Sequence, residues 1–150
     1  MLNNQTIEKL SVMKLEGMLQ MLEQQELLPD TKKLSFDERF GLLVDAEYTS
    51  RENTKLATRL KQAGLRQAAC FEDIDFRSSR GLDRAVLSQL SLCEWVGKGL
   101  NILISGSTGV GKSFFACALA HKACLRGYTA RYFRAPRFFQ DLTVNRLKNT

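Results

Sequence analysis

Acidic residues all but vanish from the last third of this 150-residue chain, where the only one after Glu94 is Asp141. The loss is local. Residues 1–97 carry 13 Lys/Arg against 15 Asp/Glu, a balance of −2, whereas residues 98–150 carry 9 against 1, a balance of +8. A basic half of this kind suits a polyanion partner, and equally a face left uncompensated by missing downstream acids. Other absences narrow the class. No apolar run approaches the roughly 20 residues that span a bilayer, and MLNNQTIEKL has no basic stretch ahead of an apolar core. Neither a membrane helix nor a signal peptide is therefore expected. The four cysteines (Cys70, Cys93, Cys117, Cys124) form no Cys-x-x-Cys pair and no scaffold spacing, which points to reduced thiols and a cytoplasmic chain. The lone histidine, His121, shares a helical face with Cys117 and Cys124. No second group of ligands accompanies them, so the trio reads as helix packing rather than a metal site. Nothing is repetitive or of low complexity.

What is present is an ordinary globular composition, 44% hydrophobic and 25% charged. It leaves room for one mid-sized domain, or a small domain and part of another. Ile7, Leu10, Met13, Leu15, Met18, Leu19 and Leu22 recur at helical spacing and predict a helix over Ile7–Leu28, ended by Pro29. Met13, Met18 and Met21 read as core packing, with a pliable partner surface as the alternative. Ser35-Phe-Asp-Glu38 is a capping box that opens a helix through Phe40, Leu43, Val44, Leu56 and Leu60, with Gly64 as its stop. The charges Glu47, Arg51, Glu52, Lys55 and Arg59 along it predict a solvated face laced with i,i+4 pairs.

Residues Ala68–Arg80 break the helical pattern, and FEDIDF (Phe71–Phe76) suits a short extended segment or packed linker. The boundary falls near Gly64–Cys70, dividing the chain into 1–66 and 67–150. A further helix is expected over Leu82–Trp95, with Leu82, Val86, Leu90 and Cys93 inward, and Gly97-Lys-Gly99 then turns into an apolar run.

That run, Leu100, Ile102, Leu103 and Ile104, is of strand type and empties into Gly106-Ser-Thr-Gly-Val-Gly111-Lys112-Ser113, with a helix-compatible stretch, Phe114–Ala123, behind it. The spacing GxxxxGK[ST] between strand and helix is the phosphate-cradling P-loop. Its glycines let the backbone of Gly106, Ser107, Thr108, Gly109, Val110 and Gly111 turn tightly and aim N–H groups at phosphate oxygens, and the helix N-terminus adds positive potential. Lys112 is placed to reach the β- and γ-phosphates of ATP, and Ser113 to give a hydroxyl to Mg²⁺. Arg126-Gly127 closes the helix, Tyr128–Ala135 reads as a second strand, and Pro136 starts a last helix over Arg137–Leu147. The alternation predicts an α/β chain: a helical N-terminal domain, then the first part of a parallel αβα P-loop domain, truncated. Arg131, Arg134 and Arg137 are candidates for DNA phosphates, or for a solvated strand edge.

A P-loop NTPase also needs an acidic residue at the end of another strand, to help hold Mg²⁺ and position the attacking water. Asp141 follows Arg137-Phe-Phe-Gln140, which is no apolar strand. The expectation is a chain that binds ATP with Mg²⁺ and does not hydrolyse it alone.

Taken together these segments resemble the IstB-like helper ATPases of bacterial insertion sequences, relatives of the DnaC-type helicase loaders in the AAA+ superfamily. The markers are IEKLSVMKLEGM (Ile7–Met18), SFDERFGLLVDAEYTSRENTKLATRLKQAGL (Ser35–Leu65), FEDIDFRSSRGLDRAVLSQL (Phe71–Leu90) and GKGLNILISGSTGVGKSFFACALAHKACLRGYTARYF (Gly97–Phe133). The resemblance implies a helical N-terminal domain implicated in DNA binding and an AAA+ ATPase domain that forms homo-oligomers. It also implies that ATP is used to select target DNA and stimulate a partner transposase. Gly106, Gly111, Lys112 and Ser113 match the family's phosphate-binding (Walker A) motif. Phe71–Phe76 fall where AAA+ proteins often place an adenine-contacting segment. Family members continue past this point through Walker B, sensor and arginine-finger positions, which implies that this chain is an N-terminal portion. Two other readings stay open: a DnaC-type loader of a replicative helicase, which the N-terminal segments favour less, and a DNA-binding remnant that ignores nucleotide.

Overall fold

Residues 4–75, 81 and 83–148 are described by a computed structural model, and among them every regular element is a helix. The chain divides into two units, Met1–Ala57 and Thr58–Thr150.

In the first unit, α1 (Asn4–Val12) and α2 (Glu16–Leu27) replace the single helix expected over Ile7–Leu28. The break is at Lys14, whose φ of 57° is left-handed. There the Leu15 N–H donates to Leu10 O (3.0 Å) and the Lys14 N–H to Ser11 O (2.9 Å), the paired bonds of a Schellman ending. Glycine usually signals such an ending. Lysine does not, so periodicity alone read through it. Pro29 stops α2 as expected, holding Leu28 extended ahead of a 3-10 turn, Pro29–Lys33.

The long helix α3 (Phe36–Ala63) starts in the first unit and ends in the second. Its capping box is complete: the Glu38 N–H donates to Ser35 Oγ (3.3 Å) and the Ser35 N–H to Glu38 Oε2 (2.8 Å). Gly64, with φ of 56°, terminates it. One of its charges does not face solvent. Glu47 is buried, and its Oε2 accepts from the N–H groups of Gly17 (2.9 Å) and Met18 (3.2 Å). The first turn of α2 has no side-chain cap from its own Leu15, so a carboxylate thirty positions away supplies one. Arg51 Nε, one turn on, completes the group by donating to Glu47 Oε1 at 2.6 Å. The approach is close enough that a Cβ on Gly17 would sit 2.6 Å from the Ala46 carbonyl oxygen. A second tie lies further along, where buried Gln25 donates to Arg39 O (3.0 Å) and accepts from Arg39 Nε (3.1 Å).

The second unit holds the end of α3, a 3-10 turn (Phe71–Asp73), α4 (Arg84–Ser91), α5 (Glu94–Gly97), α6 (Lys112–Leu125) and α7 (Ala135–Lys148). The helix expected over Leu82–Trp95 is thus two. Asp83 caps α4 by accepting from the Ala85 N–H (2.8 Å), and Cys93, at φ of 58°, turns the chain before α5 while burying itself. Leu87 and Cys93 are inward, whereas Val86 is half exposed and Leu82 lies outside the described residues. The core forms on α6, where Cys117 and Ala118 pack with Ala69 and Ile74, and Leu65, Phe71, Phe114, Phe115 and Tyr132 surround them. Gly127 (φ 93°) ends α6 through a second Schellman pair, Tyr128 N–H to Ala123 O (3.0 Å) and Gly127 N–H to Cys124 O (3.1 Å). Arg59 Nη1 also donates to Cys124 O (3.1 Å), a cation on the negative end of the helix.

The expected α/β architecture with a parallel sheet is not what forms: among the described residues there is no strand. Residues 101–104 keep the period of an extended chain, alternately exposed and half-buried, but Leu103 is 96% exposed. A strand exists only through a neighbour's hydrogen bonds, and a parallel one through neighbours and cover on both faces. In Tyr128–Ala135, the Tyr132 N–H goes instead to Ala63 O at the end of α3 (2.8 Å). Ala135 itself begins α7.

Gly17→Ala should cost about 1–3 kcal/mol, the range for overpacking, because backbone faces the new methyl. Gly41→Ala, in α3 with nothing within 4 Å of its Cβ position, should instead stabilise by roughly 0.5–1 kcal/mol. Paired denaturant melts would read both signs. The Glu47 carboxyl is held below the ordinary carboxylate range, first by Arg51 and then by the Met18 and Gly17 amides, against the opposing effect of burial. A lowered folded pKa means stability present above the unfolded value and lost as pH falls through the folded one. Thermal melts should therefore weaken on acidification, and Glu47→Gln should lower Tm at neutral pH while flattening that acid limb.

Candidate functional site

The P-loop is formed by three glycines in conformations that side chains avoid. Gly106 has φ of 148°, Gly109 of 87° and Gly111 of 94°. Gly111 is the residue before α6 and has no side chain to cap it, so the N–H groups of the first turn are left for something else. Val110 folds over Gly106, with its Cγ2 3.4 Å from where a Cβ would stand. Gly106, Ser107, Thr108, Gly109 and Val110 are exposed, while Gly111, Lys112 and Ser113 are half-buried at the loop-to-helix junction.

Lys112 closes the loop on itself. Its Nζ donates to the carbonyls of Gly106 (2.9 Å) and Ser107 (2.7 Å). An ammonium has three donors, so one is left at the mouth of the loop. The Ser113 hydroxyl makes no hydrogen bond among the described residues and stands one position along the helix. Amides without a side-chain cap and an ammonium with a donor to spare are groups of the kind that receive a phosphate.

Beside the loop is a cavity of about 300 Å³. The loop and α6 wall it through Gly111, Lys112, Phe114 and Phe115, and Asp73, Ile74 and Asp75 close the other side. The FEDIDF segment is thus brought to the P-loop, although Phe76 lies outside the described residues. Two contacts hold it there. Phe71 packs on Phe115 with ring centroids 6.4 Å apart, and Lys122 Nζ donates to Glu72 Oε1 at 2.7 Å. Lys122 also lowers the Glu72 pKa. The pairing of Lys122 with Glu72 spans fifty residues and had no signal in the sequence.

Other candidates lie apart from this cavity. Arg131, Arg134 and Arg137 are exposed along the approach to α7, and Asp141 lies with them rather than at the P-loop. Cys117 and Cys124 are core residues, and burial raises the Cys124 pKa. Among the described residues no three His, Cys, Asp or Glu side chains converge as a metal site. No helix there is long and apolar enough to cross a membrane.

Residues 106–113 have the spacing of a P-loop motif, and the three glycines of the loop stand at positive φ. Residues 8–149 match the family described as IstB-like ATP binding protein, and the chain belongs to that family. It is 44% identical over 145 residues to a protein of Pseudomonas fluorescens named for ATP binding in insertion sequence IS1162, covering 96% of this chain and 63% of the relative. An insertion-sequence protein of Sinorhizobium fredii, likewise named for ATP binding, is 42% identical over 146 residues, covering 97% and 60%. One in an insertion sequence of Mycobacterium tuberculosis is 33% identical, covering 89% and 53%. The chain therefore spans roughly three fifths of the length of these relatives.

Gly111→Ala should cost about 1–2 kcal/mol, because an L residue is forced into the left-handed region. A denaturant melt without nucleotide would read it as a lower midpoint at unchanged slope.

Proposed function

We propose that this chain is the nucleotide-holding part of a helper protein for DNA transposition. In this reading ATP lies against the P-loop. The amides of residues 106–111 and the first turn of α6 receive its phosphates, Lys112 neutralises them, and Ser113 contributes to a Mg²⁺ site. The cavity beside the loop takes the base, with Phe114, Phe115 and Ile74 as apolar wall and Asp73 and Asp75 at its edge. The observation that carries the reading is the self-closed loop itself, with Lys112 on two loop carbonyls in front of an uncapped helix. Family membership supports ATP as the ligand, and the relatives' names support insertion sequences as the setting. DNA and a transposase are the partners this setting implies, and the +8 balance of residues 98–150 agrees with the first.

Hydrolysis by this chain alone is not part of the reading. Asp141 lines the arginine cavities rather than the P-loop cavity, where the carboxylates are Asp73 and Asp75.

Titration with a fluorescent ATP analogue in Mg²⁺ should show saturable binding, and Lys112→Ala should weaken it about tenfold or more, the range for losing a hydrogen bond to a charged group. Phosphate release by the wild-type chain should stay at background. Binding that ignores Lys112→Ala would sink the proposal.

A further inference from the structure

The geometry points to Lys122 as a positioning residue of the nucleotide site: we propose that its bond to Glu72 holds residues 73–75 as a wall against the nucleoside half of the ligand. The inference rests on the reading of the P-loop as an ATP site. It goes past that reading by naming a residue remote from the phosphates that sets the affinity.

The cavity beside the P-loop has two walls of different origin. One belongs to the loop and α6, through Gly111, Lys112, Phe114 and Phe115, and is continuous in the chain. The other, Asp73, Ile74 and Asp75, is the end of a three-residue 3-10 turn and the chain leaving it. That turn is closed by Asp73 N–H to Cys70 O (3.2 Å) and Ile74 N–H to Phe71 O (3.4 Å), so its place depends on what it leans against. Phe71 on Phe115 and Ile74 in the core supply apolar contact, which draws the turn onto α6 but is non-directional. Glu72, between those two residues, supplies the direction. Its Oε1 accepts from Lys122 Nζ at 2.7 Å, a charge-assisted bond.

This pair differs from an ordinary surface contact. Lys33–Asp30, Lys55–Glu52 and Lys98–Glu94 join positions three or four apart, whereas Lys122–Glu72 joins segments fifty apart. The Lys122 side chain is 22% exposed against 65% for its partner, so its stem is packed while its ammonium reaches the carboxylate. Lys122 also stands one turn beyond the core residue Ala118, on the helix that begins with Lys112. Ten residues of helix are about 15 Å long. Exposed charges are screened beyond about 8 Å at physiological ionic strength, so the ammonium has little direct pull on a phosphate at the loop. Its route to the ligand is the turn. Asp73 and Asp75 line the cavity, and the negative charge of an arriving triphosphate pushes them outward. The bond to Glu72 opposes that displacement and keeps the wall against the nucleoside.

The test is isothermal titration calorimetry of the full chain with ATP and with tripolyphosphate, both in Mg²⁺. Tripolyphosphate has the phosphates without the nucleoside, so it reads the P-loop and not the wall. Lys122→Met keeps the stem and loses the charge. It should weaken ATP about fivefold, the upper end for an exposed ion pair, and leave tripolyphosphate unchanged. Lys122→Arg should keep wild-type affinity for both ligands. Glu72→Gln should match Lys122→Met, and the double variant should bind no more weakly than either, because each substitution removes the same bond. Without ligand, deuterium exchange of the Asp73 and Ile74 amides should quicken by a similar factor in Lys122→Met and not in Lys122→Arg. If circular dichroism shows that Lys122→Met has lost its fold, Glu72→Gln, on an exposed side chain, carries the same comparison. ATP binding indifferent to both substitutions, or ATP and tripolyphosphate weakened alike, would overturn the proposal. Additive effects of the two would also overturn it, by assigning Lys122 to the negative end of α6 instead. A wild-type chain that binds neither ligand would remove the nucleotide reading and this inference together. Wild-type binding that falls in Lys112→Ala but not in Lys122→Met or Glu72→Gln would remove this inference alone.

Discussion

The second unit rests on the close packing of one helix whose inward side chains are small. Cys117, Ala118 and Cys124 of α6 are fully buried, and none carries a long side chain to hold neighbours off. Small residues bring backbones near one another, so the Phe71–Asp73 turn and α4 lie directly on α6, and larger rings such as Phe71, Phe115 and Tyr132 fill the margins. The same helix carries the chemistry at its ends. Its uncapped N-terminus faces the P-loop, and its C-terminal carbonyls receive Arg59 and the Gly127 turn. Core and site are therefore one element.

The first unit uses a comparable economy at a helix terminus. There the N-terminus of α2 is capped by Glu47 of α3, and Gly17 lets the two backbones approach. Burying a carboxylate is costly unless its oxygens are occupied, and here the Gly17 and Met18 amides share one while Arg51 takes the other. The two units treat a helix N-terminus differently: in the first it docks a neighbouring helix, and in the second it has no side-chain cap.

The basic half of the chain holds two positively charged regions of different build. The P-loop presents backbone amides and one ammonium, a small rigid cradle suited to a phosphate group. The stretch around α7 presents guanidinium groups and exposed rings over a broader surface. Composition alone reports only their sum, a balance of +8 over residues 98–150. Lys122, drawn onto Glu72, shows that some of that charge holds the fold together instead.

What the sequence alone determined were the features written in neighbouring residues. The P-loop spacing, the capping box at Ser35–Glu38, and the stops at Pro29, Gly64 and Gly127 each depend on a few adjacent positions, and the capping box and the three stops are where they were expected. Family membership was legible for the same reason, through the order of short segments. Only the tertiary structure decided the rest. It placed Asp73, Ile74 and Asp75 on the wall of the P-loop cavity and buried Glu47 from among its solvated neighbours. It broke two expected helices at Lys14 and Cys93, residues that rarely adopt left-handed backbone. It also left Leu100–Ile104 and Tyr128–Ala135 without a ladder, although both have the residues of strands. Local propensity specifies a helix end or a tight turn, because the bonds that make it close within a few residues. A strand or a buried charge depends on partners far away in the chain, and those are supplied only by the fold.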